Sequence, residues 1–278
     1  MTERTVTLAH LSDLHFGRDA DLDQIDALEA LIPSLQPDAV VISGDISQRA
    51  RHGELQAARR FTMSMRRAAP TLVIPGNHDV EWWRSPFGIL GTARRYRKYR
   101  LYFGTDLTPT LELPGAVLAS VLTSHGVAFG SMTWNLNDMA VKGHLPDAEA
   151  GRVTRILAQA PPDAVRVVVM HHNLLRGAIS GRMGLARWSR AQELLKQTGA
   201  ELVLCGHDHQ EGCGQVENAF VVGTAGTHTD RCRGDRASAW NLVSIDASSI
   251  NIQHYRWDSE GKQFMPSDLE RFARRQRA

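Results

Sequence analysis

Apolar residues in the first third of this chain fall into two alternating patterns. Short continuous runs rich in Val, Ile, Leu and Ala predict buried strands at residues 5–12, 38–43 and 71–75. Between these runs, apolar residues at helical spacing predict amphipathic helices over 21–35 and 52–69. This βαβαβ order predicts parallel strands that are joined by right-handed crossovers.

The alternation stops after residue 80 and resumes later in the chain. Residues 81–115 interleave aromatic residues with arginines, and we interpret them as an inserted cap. Further strands are predicted at 117–122, 127–132, 165–170 and 200–205, and further helices near 146–160 and over 187–198. Residues 219–255 contain short strand-like pieces separated by Gly, Asp and Ser, which predicts a second, mainly antiparallel sheet. The whole pattern predicts a single α/β domain, residues 1–278, with two stacked sheets covered by helices.

Metal-binding side chains stand at the ends of five strand-like runs. The motifs are Asp13-Leu14-His15, Gly44-Asp45, Gly76-Asn77-His78-Asp79, His171-His172 and Gly206-His207-Asp208-His209. Because buried parallel strands bring their C-terminal ends to one edge of a sheet, we expect these motifs to meet there. Their carboxylate, amide and imidazole groups suit two divalent metal ions. Gly206 is expected to free the backbone of the loop that carries the last two histidines.

The order of these motifs, DxH, GD, GNHD, H and GHxH, resembles that of the calcineurin-like metallophosphoesterases over residues 13–209. The resemblance implies a four-layer α/β/β/α sandwich of two stacked mixed sheets flanked by helices. It also implies hydrolysis of a phosphodiester or diphosphate bond, by attack on phosphorus of a hydroxide that bridges two metal ions. The blocks SDLHFG, GDIS and GNHDV are similar to those of bacterial phosphodiesterases, the UDP-diacylglucosamine pyrophosphatases among them.

The resemblance also implies a role for each motif residue. Asp45 bridges the two ions; the other implied ligands are Asp13, His15 and His209 at the first ion and Asn77, His171 and His207 at the second. Such ligands fit Mn or Fe best, and Zn, Co or Ni are compatible. His78 is implied as the catalytic residue, which protonates the leaving oxygen or stabilises charge on the phosphate. An acid role requires a compensating carboxylate, for which Asp79 and Asp208 are both candidates.

Four residues outside the ligand set are candidates for substrate binding. Gln48 stands where Ser/Thr protein phosphatases of this family have a second aspartate, which argues against that activity. The next residue, Arg49, stands where they have a phosphate-binding arginine, and it either contacts substrate or begins a helix in solvent. His172, beside a ligand, either lines the pocket or supports the ligands from behind, and Asn135 and His228 follow strand-like runs that end near the site.

The charge of the chain and the resemblance together limit the classes of substrate and binding partner that we expect. A net charge of +2 is close to neutral, which argues against a dedicated nucleic-acid-binding protein. A nuclease stays an alternative because DNA repair exonucleases share the motif set, and a scaffold protein that has lost catalysis is a further one. We expect a small anionic phosphoester substrate, a nucleotide or a nucleotide-linked lipid. The oligomeric state is left open.

The location of the protein is predicted from its N-terminus, its cysteines and its apolar runs. The N-terminus lacks the pattern of a signal peptide, and the three cysteines form no disulfide or zinc pattern. No apolar stretch reaches the ~20 residues that span a membrane, so we expect a cytoplasmic protein. Because the cap, 81–115, mixes Trp and Tyr with Arg, we expect it to grip an anionic substrate, to touch the inner membrane face, or simply to dock on the core.

Overall fold

The computed structural model describes residues 4–18, 20–84, 92–126, 141–229 and 231–275, and these residues form two six-stranded sheets. Strands are numbered in chain order. The first sheet contains β1 (Val6–Leu11), β2 (Ala39–Ile42), β3 (Thr71–Val73), β10 (Ala239–Ile245), β11 (Ser249–Asp258) and β12 (Gln263–Ala273). Its spatial order is β12-β11-β10-β1-β2-β3. Strands β1, β2 and β3 are parallel, as predicted, and β10 pairs with β1 in the antiparallel sense.

The second sheet has a parallel centre and antiparallel edges. It contains β4 (Thr110–Leu113), β5 (Ala116–Ser120), β6 (Val165–His172), β7 (Leu202–Gly206), β8 (Gly212–Val216) and β9 (Phe220–Thr224). The order is β4-β5-β6-β7-β9-β8, in which β5, β6, β7 and β9 are mutually parallel. Both sheets are therefore mixed.

Helices cover the outer faces of the stacked sheets. They are α1 (Leu22–Ser34), α2 (His52–Ala68), α3 (Arg97–Phe103), α4 (Asp147–Ala158) and α5 (Trp188–Gln197), with 3₁₀ turns at Trp82–Arg84 and Thr92–Tyr96. The alternation along β1 shows how the layers form, because side chains point to opposite faces of a strand. Leu8 packs into the core between the sheets, whereas Ala9 and Leu11 pack under α1 and α2. A separate core joins the second sheet to α4 and α5. This is the predicted α/β/β/α order.

The prediction for the C-terminal strands was wrong. Residues 219–255 do not build a sheet of their own: β9 adds to the second sheet in parallel, and β10 and β11 extend the first sheet. The strand-like pattern was correct, but it carries no information about the pairing partner of each strand. Strand β11 is also longer than the short strands that were expected, since it has 10 residues.

The segment interpreted as a cap contributes a helix that packs on α2 and a strand of the second sheet. Helix α3 packs on α2, and Tyr99 is buried with its hydroxyl donating to the Val73 carbonyl at 3.4 Å. Residues 110–113 form β4 at the edge of the second sheet. Residues 85–91 of the segment lie outside the described part of the chain, as do residues 127–132, for which a strand was predicted. Among the helices that are described, none is long and apolar enough to cross a membrane.

Candidate metal centre

The five motifs meet at one edge of the two sheets, as expected from their positions at strand ends. Asp13 and His15 follow β1, Asp45 follows β2, and Asn77 follows β3. The remaining ligand candidates lie at the end of β6 and just after β7: His171, His207 and His209. Asp13, His15, Asp45, Asn77 and His171 are buried, and His207 and His209 are half-buried. The site therefore lies at the bottom of a cleft rather than on the open surface.

The first cluster joins Asp13, His15, Asp45 and His209. One ligand atom from each lies within 4.8 Å of the others. The Nε2 atoms of His15 and His209 are 3.0 Å apart, and Asp13 Oδ1 is 3.3 Å from His209 Nε2. This Asp13 oxygen is buried and has no hydrogen-bond partner among the described residues. A buried carboxylate oxygen facing two imidazole nitrogens is the arrangement that a divalent cation would satisfy.

The second cluster is centred on the side chain of Asn77. Its Oδ1 lies 3.0 Å from His171 Nε2 and 3.0 Å from His207 Nδ1. Asp45 Oδ2 is 3.3 Å from His171 Nε2 and 3.9 Å from His15 Nε2, so one carboxylate oxygen lies between the two clusters. Asp45 therefore approaches histidines of both clusters.

The neighbours of His171 and His172 favour the first of the pair as a ligand. His171 Nδ1 donates to the Ser43 carbonyl at 2.9 Å, which leaves the lone pair of Nε2 directed at the second cluster. One nitrogen of His172 also lies within 4.8 Å of His171 and His207. However, its Nε2 donates to the Val141 carbonyl at 2.9 Å and its Nδ1 bonds the Thr123 hydroxyl at 2.8 Å. His172 is fully buried behind the cluster and does not line the cleft, so of its two expected positions the structure shows the one behind the ligands.

The protonation states of the two aspartates and His207 suit metal binding. Burial opposes ionisation of Asp13, but the adjacent His15 and His209 side chains outweigh it and hold the pKa of Asp13 well below its ordinary value. Burial also opposes ionisation of Asp45, and the charge of His171 outweighs it, so the pKa of Asp45 is lowered. Burial and the neighbouring His171 lower the pKa of His207 to about 3. Ionised carboxylates and neutral imidazole are the forms that ligate metals. Burial is outweighed by Asp45 at His171, whose pKa is raised to about 9, and by Asp13 at His209, whose pKa is also raised, so these two histidines must lose a proton to bind a metal ion.

The backbone at the site is strained. Among the described residues, nine non-glycine residues have positive φ, and five of them belong to the motifs: Asp13, His15, Asp45, His207 and His209, with φ between 45° and 73°. Such a conformation costs on the order of 1–3 kcal/mol per residue and persists where surrounding contacts enforce it. The strain directs these side chains towards a common point, which is typical of a functional site.

Two motif glycines leave room for the ligands. A Cβ atom on Gly76 would overlap Asp45 Oδ1, and a Cβ atom on Gly206 would overlap the Ser12 hydroxyl. Gly206 does not have positive φ, so the expectation that it frees the backbone was wrong. It is needed because β7 approaches β1 too closely for a side chain.

Replacing Gly76 with alanine should therefore disrupt the site. We expect the variant to lose metal binding, and to lose about 1–3 kcal/mol of stability because the new methyl group displaces Asp45. Gly151→Ala is the matched control, since this glycine lies inside α4 with no atom within 4 Å of the added Cβ. The control should gain about 0.4–1 kcal/mol. Urea denaturation and metal analysis of both variants test this; equal stability and equal metal content in the two would contradict it.

The orientation of His78 comes from a main-chain group. Its Nδ1 donates to the Gln48 carbonyl at 2.7 Å, and the ring lines the cleft. The predicted carboxylate partner is not found among the described residues. Asp79 instead accepts bonds from the backbone of Ser47 and Gly76.

Asp208, the other carboxylate candidate, accepts a bond from the Ser180 hydroxyl at 2.7 Å. Both aspartates thus hold loops together, and neither hydrogen-bonds His78.

A basic rim surrounds the centre. The cleft has a volume of about 320 Å³, and besides the motif residues it is lined by four cations: Lys142, Arg182, Arg231 and Arg233. Sequence reasoning missed all four, because they lie on loops where no periodic pattern marks them. The proximity of Arg231 and Arg233 to the end of β9 was the available signal. Positive charge around a cleft concentrates anionic ligands there.

The remaining candidates for substrate binding have different positions. Arg49 is exposed and lines a second cavity beside His78. His228 is fully buried behind the site: its backbone N–H donates to the Asp13 carbonyl at 3.3 Å, and its ring packs on Phe264. Because His228 is enclosed by the core, it does not line the cleft, and the expectation that it would do so was wrong. Asn135 lies outside the described residues.

The chain belongs to the calcineurin-like phosphoesterase family, whose family model matches residues 6–211. It is a metal-dependent phosphoesterase. It is 28% identical to the glycerophosphodiester phosphodiesterase GpdQ of Enterobacter lignolyticus (strain SCF1) over 240 residues, which are 77% of this chain and 75% of that protein.

Two solved structures share the fold at 12% identity. A dimetal phosphatase from Danio rerio superposes with a TM-score of 0.66 over 97% of this chain and 99% of its own. The purple acid phosphatase PPD1 of yellow lupin superposes with a TM-score of 0.67. The superposition covers 96% of this chain and 54% of the lupin protein.

Proposed function

We propose that this protein hydrolyses phosphodiester bonds at a centre of two metal ions. Asp13, His15, Asp45 and His209 would hold one ion; Asp45, Asn77, His171 and His207 would hold the other. The observation that carries the proposal is the position of Asp45 Oδ2, within 3.9 Å of an imidazole nitrogen from each cluster. The unpartnered Asp13 oxygen and the ionised carboxylates support the same conclusion.

The chemistry of the ligands narrows the choice of metals. The set combines carboxylate and amide oxygens with imidazoles and contains no thiolate, which fits Mn or Fe, with Zn, Co or Ni as possible substitutes. Bound divalent cations would lower the pKa of water and offset the charge of the phosphate.

Protein groups around the centre perform the other tasks. Arg231 and Arg233 in the rim offset the phosphate charge and hold the substrate in the cleft. His78, fixed by the Gln48 carbonyl, presents Nε2 to the leaving oxygen and donates a proton or a hydrogen bond to it. In this proposal the ligands set the position of phosphorus, and His78 defines the side from which the leaving group departs.

Two observations favour a diester over a phosphoprotein substrate. The relative at 28% identity is named as a glycerophosphodiester phosphodiesterase. In addition, Gln48 replaces the aspartate that the protein phosphatase branch carries, and its backbone carbonyl orients His78 instead. We therefore propose a small anionic diester as substrate, with a nucleotide or a nucleotide-linked lipid as the preferred class.

Hydrolysis of bis-p-nitrophenyl phosphate and p-nitrophenyl phosphate, with and without Mn(II), tests this function. We expect metal-dependent turnover that favours the diester and falls by at least about 100-fold in Asn77→Ala, because the amide oxygen joins two imidazoles of the second cluster. Asn218→Ala, in the exposed turn between β8 and β9, should keep wild-type activity. A preference for the monoester, or full activity in Asn77→Ala, would refute the proposal.

A further inference from the structure

A second cavity adjoins the metal cleft on the side of His78. Its volume is about 620 Å³, within the usual range of about 300–1,000 Å³ for ligand pockets. It shares Asn77, His78, Val141 and Arg231 with the metal cleft. The two cavities therefore adjoin at these four residues.

The residues that belong to the second cavity alone combine positive charge with an apolar surface. Arg49, Arg51 and Lys98 contribute charge, and Val80 and Trp83 contribute the apolar part. The Trp83 side chain is 51% exposed, so its indole presents a flat surface. Such a wall suits a ring or an alkyl portion of a ligand.

One of the three cations is held firmly in place. Lys98 Nζ lies 3.1 Å from Glu81 Oε1 and donates to the Ala50 carbonyl at 3.1 Å. Arg84 Nε bonds the same Glu81 oxygen at 2.7 Å. Because Lys98 and Arg84 share the one buried carboxylate of Glu81, these three residues together retain an excess of positive charge.

Arg49 and Arg51 carry more positive charge than the one carboxylate beside them, Glu54, can offset. Glu54 Oε2 accepts the backbone N–H groups of Arg49 and Arg51, and the Arg51 Nε is 3.9 Å from Glu54 Oε1. The carboxylate thus serves mainly to hold the backbone at the start of α2, and the Arg49 and Arg51 side chains are exposed. The N-terminal end of α2 adds partial positive charge at the same place.

We propose that the second cavity binds the leaving part of the substrate, and that it selects a leaving part that carries its own negative charge beside a ring or an alkyl group. This inference rests on the proposed hydrolytic function. A diphosphate diester has such a leaving part, since one of its two products is a phosphate ester. A neutral glycerol meets no partner for these cations, and a cationic choline is repelled by them.

The chemical step is the same for either kind of leaving part. Oxygen from water forms a bond to phosphorus, the bond from phosphorus to the leaving oxygen breaks with its electron pair retained on that oxygen, and a proton is transferred to the leaving group. Arg49, Arg51 and Lys98 offset the negative charge that the leaving part carries and gains in this step. The cations therefore assist departure as well as binding.

The test compares two substrates, ADP-ribose and glycerophosphocholine, by kcat/KM. We expect wild type to favour ADP-ribose, and the ratio of the two kcat/KM values to fall about tenfold in Arg51→Gln and in Trp83→Leu, as loss of one charge-assisted contact or one stacking surface predicts. Arg59→Gln is the matched control, since Arg59 is an exposed arginine of the same helix that lines neither cavity. A preference for glycerophosphocholine, or an unchanged ratio in both cavity variants, would overturn the inference.

A binding experiment separates this inference from the proposed function. Calorimetric titration of metal-free protein with ribose 5-phosphate should show binding that weakens about tenfold in Arg51→Gln but not in Arg59→Gln. If wild type hydrolyses neither these two substrates nor bis-p-nitrophenyl phosphate and the binding difference is present, the hydrolytic proposal fails and the anion selectivity of the cavity stands. If hydrolysis occurs but the binding difference is absent, the hydrolytic proposal stands and the inference about the cavity fails.

Discussion

Replacing Asp45 with asparagine should abolish both metal binding and catalysis. The carboxylate lies between the two clusters, so its neutralisation weakens both sites at once. We expect metal content to fall well below that of wild type. We also expect kcat/KM for bis-p-nitrophenyl phosphate to fall by far more than the 10- to about 100-fold that is typical when a residue that only hydrogen-bonds a metal ligand is replaced. Metal analysis and steady-state kinetics measure the two effects.

Asparagine is chosen because it should preserve the fold. Asp45 has φ 48°, a conformation that asparagine tolerates well, and an amide oxygen can still accept the bond from the His78 backbone N–H. Asp147→Asn is the control, since Asp147 pairs with Arg190 on the surface and such pairs contribute about 0–1 kcal/mol. Retention of wild-type metal content in Asp45→Asn would show that this carboxylate is not shared by the ions.

Replacing His78 with alanine should slow the reaction by an amount that depends on the leaving group. If Nε2 donates a proton, an alkoxide leaving group needs it and a nitrophenolate does not. We expect a loss of about 10²- to 10⁴-fold for dithymidine monophosphate but less than about tenfold for the p-nitrophenyl ester of thymidine 5′-phosphate. Values of kcat/KM for the two substrates, in wild type and variant, measure the difference.

The leaving-group comparison also separates the two roles suggested for His78. Equal losses on both substrates would mean that the residue stabilises charge on the phosphate and does not act as an acid. His52→Ala is the matched control, because His52 is an exposed histidine that bonds Tyr102 and lines neither cavity. No loss on either substrate would remove His78 from the mechanism.

Local patterns were sufficient to predict the first three strands and the two helices between them. The predicted elements from β1 to β3 match the structure to within two residues at each end, because each is a buried run or an amphipathic helix with its own period. The motif residues were found for a related reason. Each follows a strand, and parallel strands that end at one edge bring their following residues together.

Strand pairing could not be read from the same patterns. Strand β10 is a buried run that pairs with β1, more than 200 positions earlier, and its own sequence does not specify that partner. Strand β12 was missed because most of its side chains are exposed, so it lacks the apolar alternation of a half-buried strand.

Within the site, contacts that depend on the backbone were invisible to sequence reasoning. The carbonyl that orients His78 belongs to Gln48, and every residue has such a group, so no residue type marks it. The depth of His228 was misjudged for a similar reason: following a strand predicts an edge position but not whether the side chain turns into the cleft or the core.

Anomalous diffraction from crystals grown with Mn(II) would show whether Asp45 lies between two metal ions. We expect two peaks about 4 Å apart on either side of Asp45, one near His15 and His209 and the other near Asn77, His171 and His207. A single peak, or manganese bound only elsewhere on the protein, would contradict a centre of two metal ions.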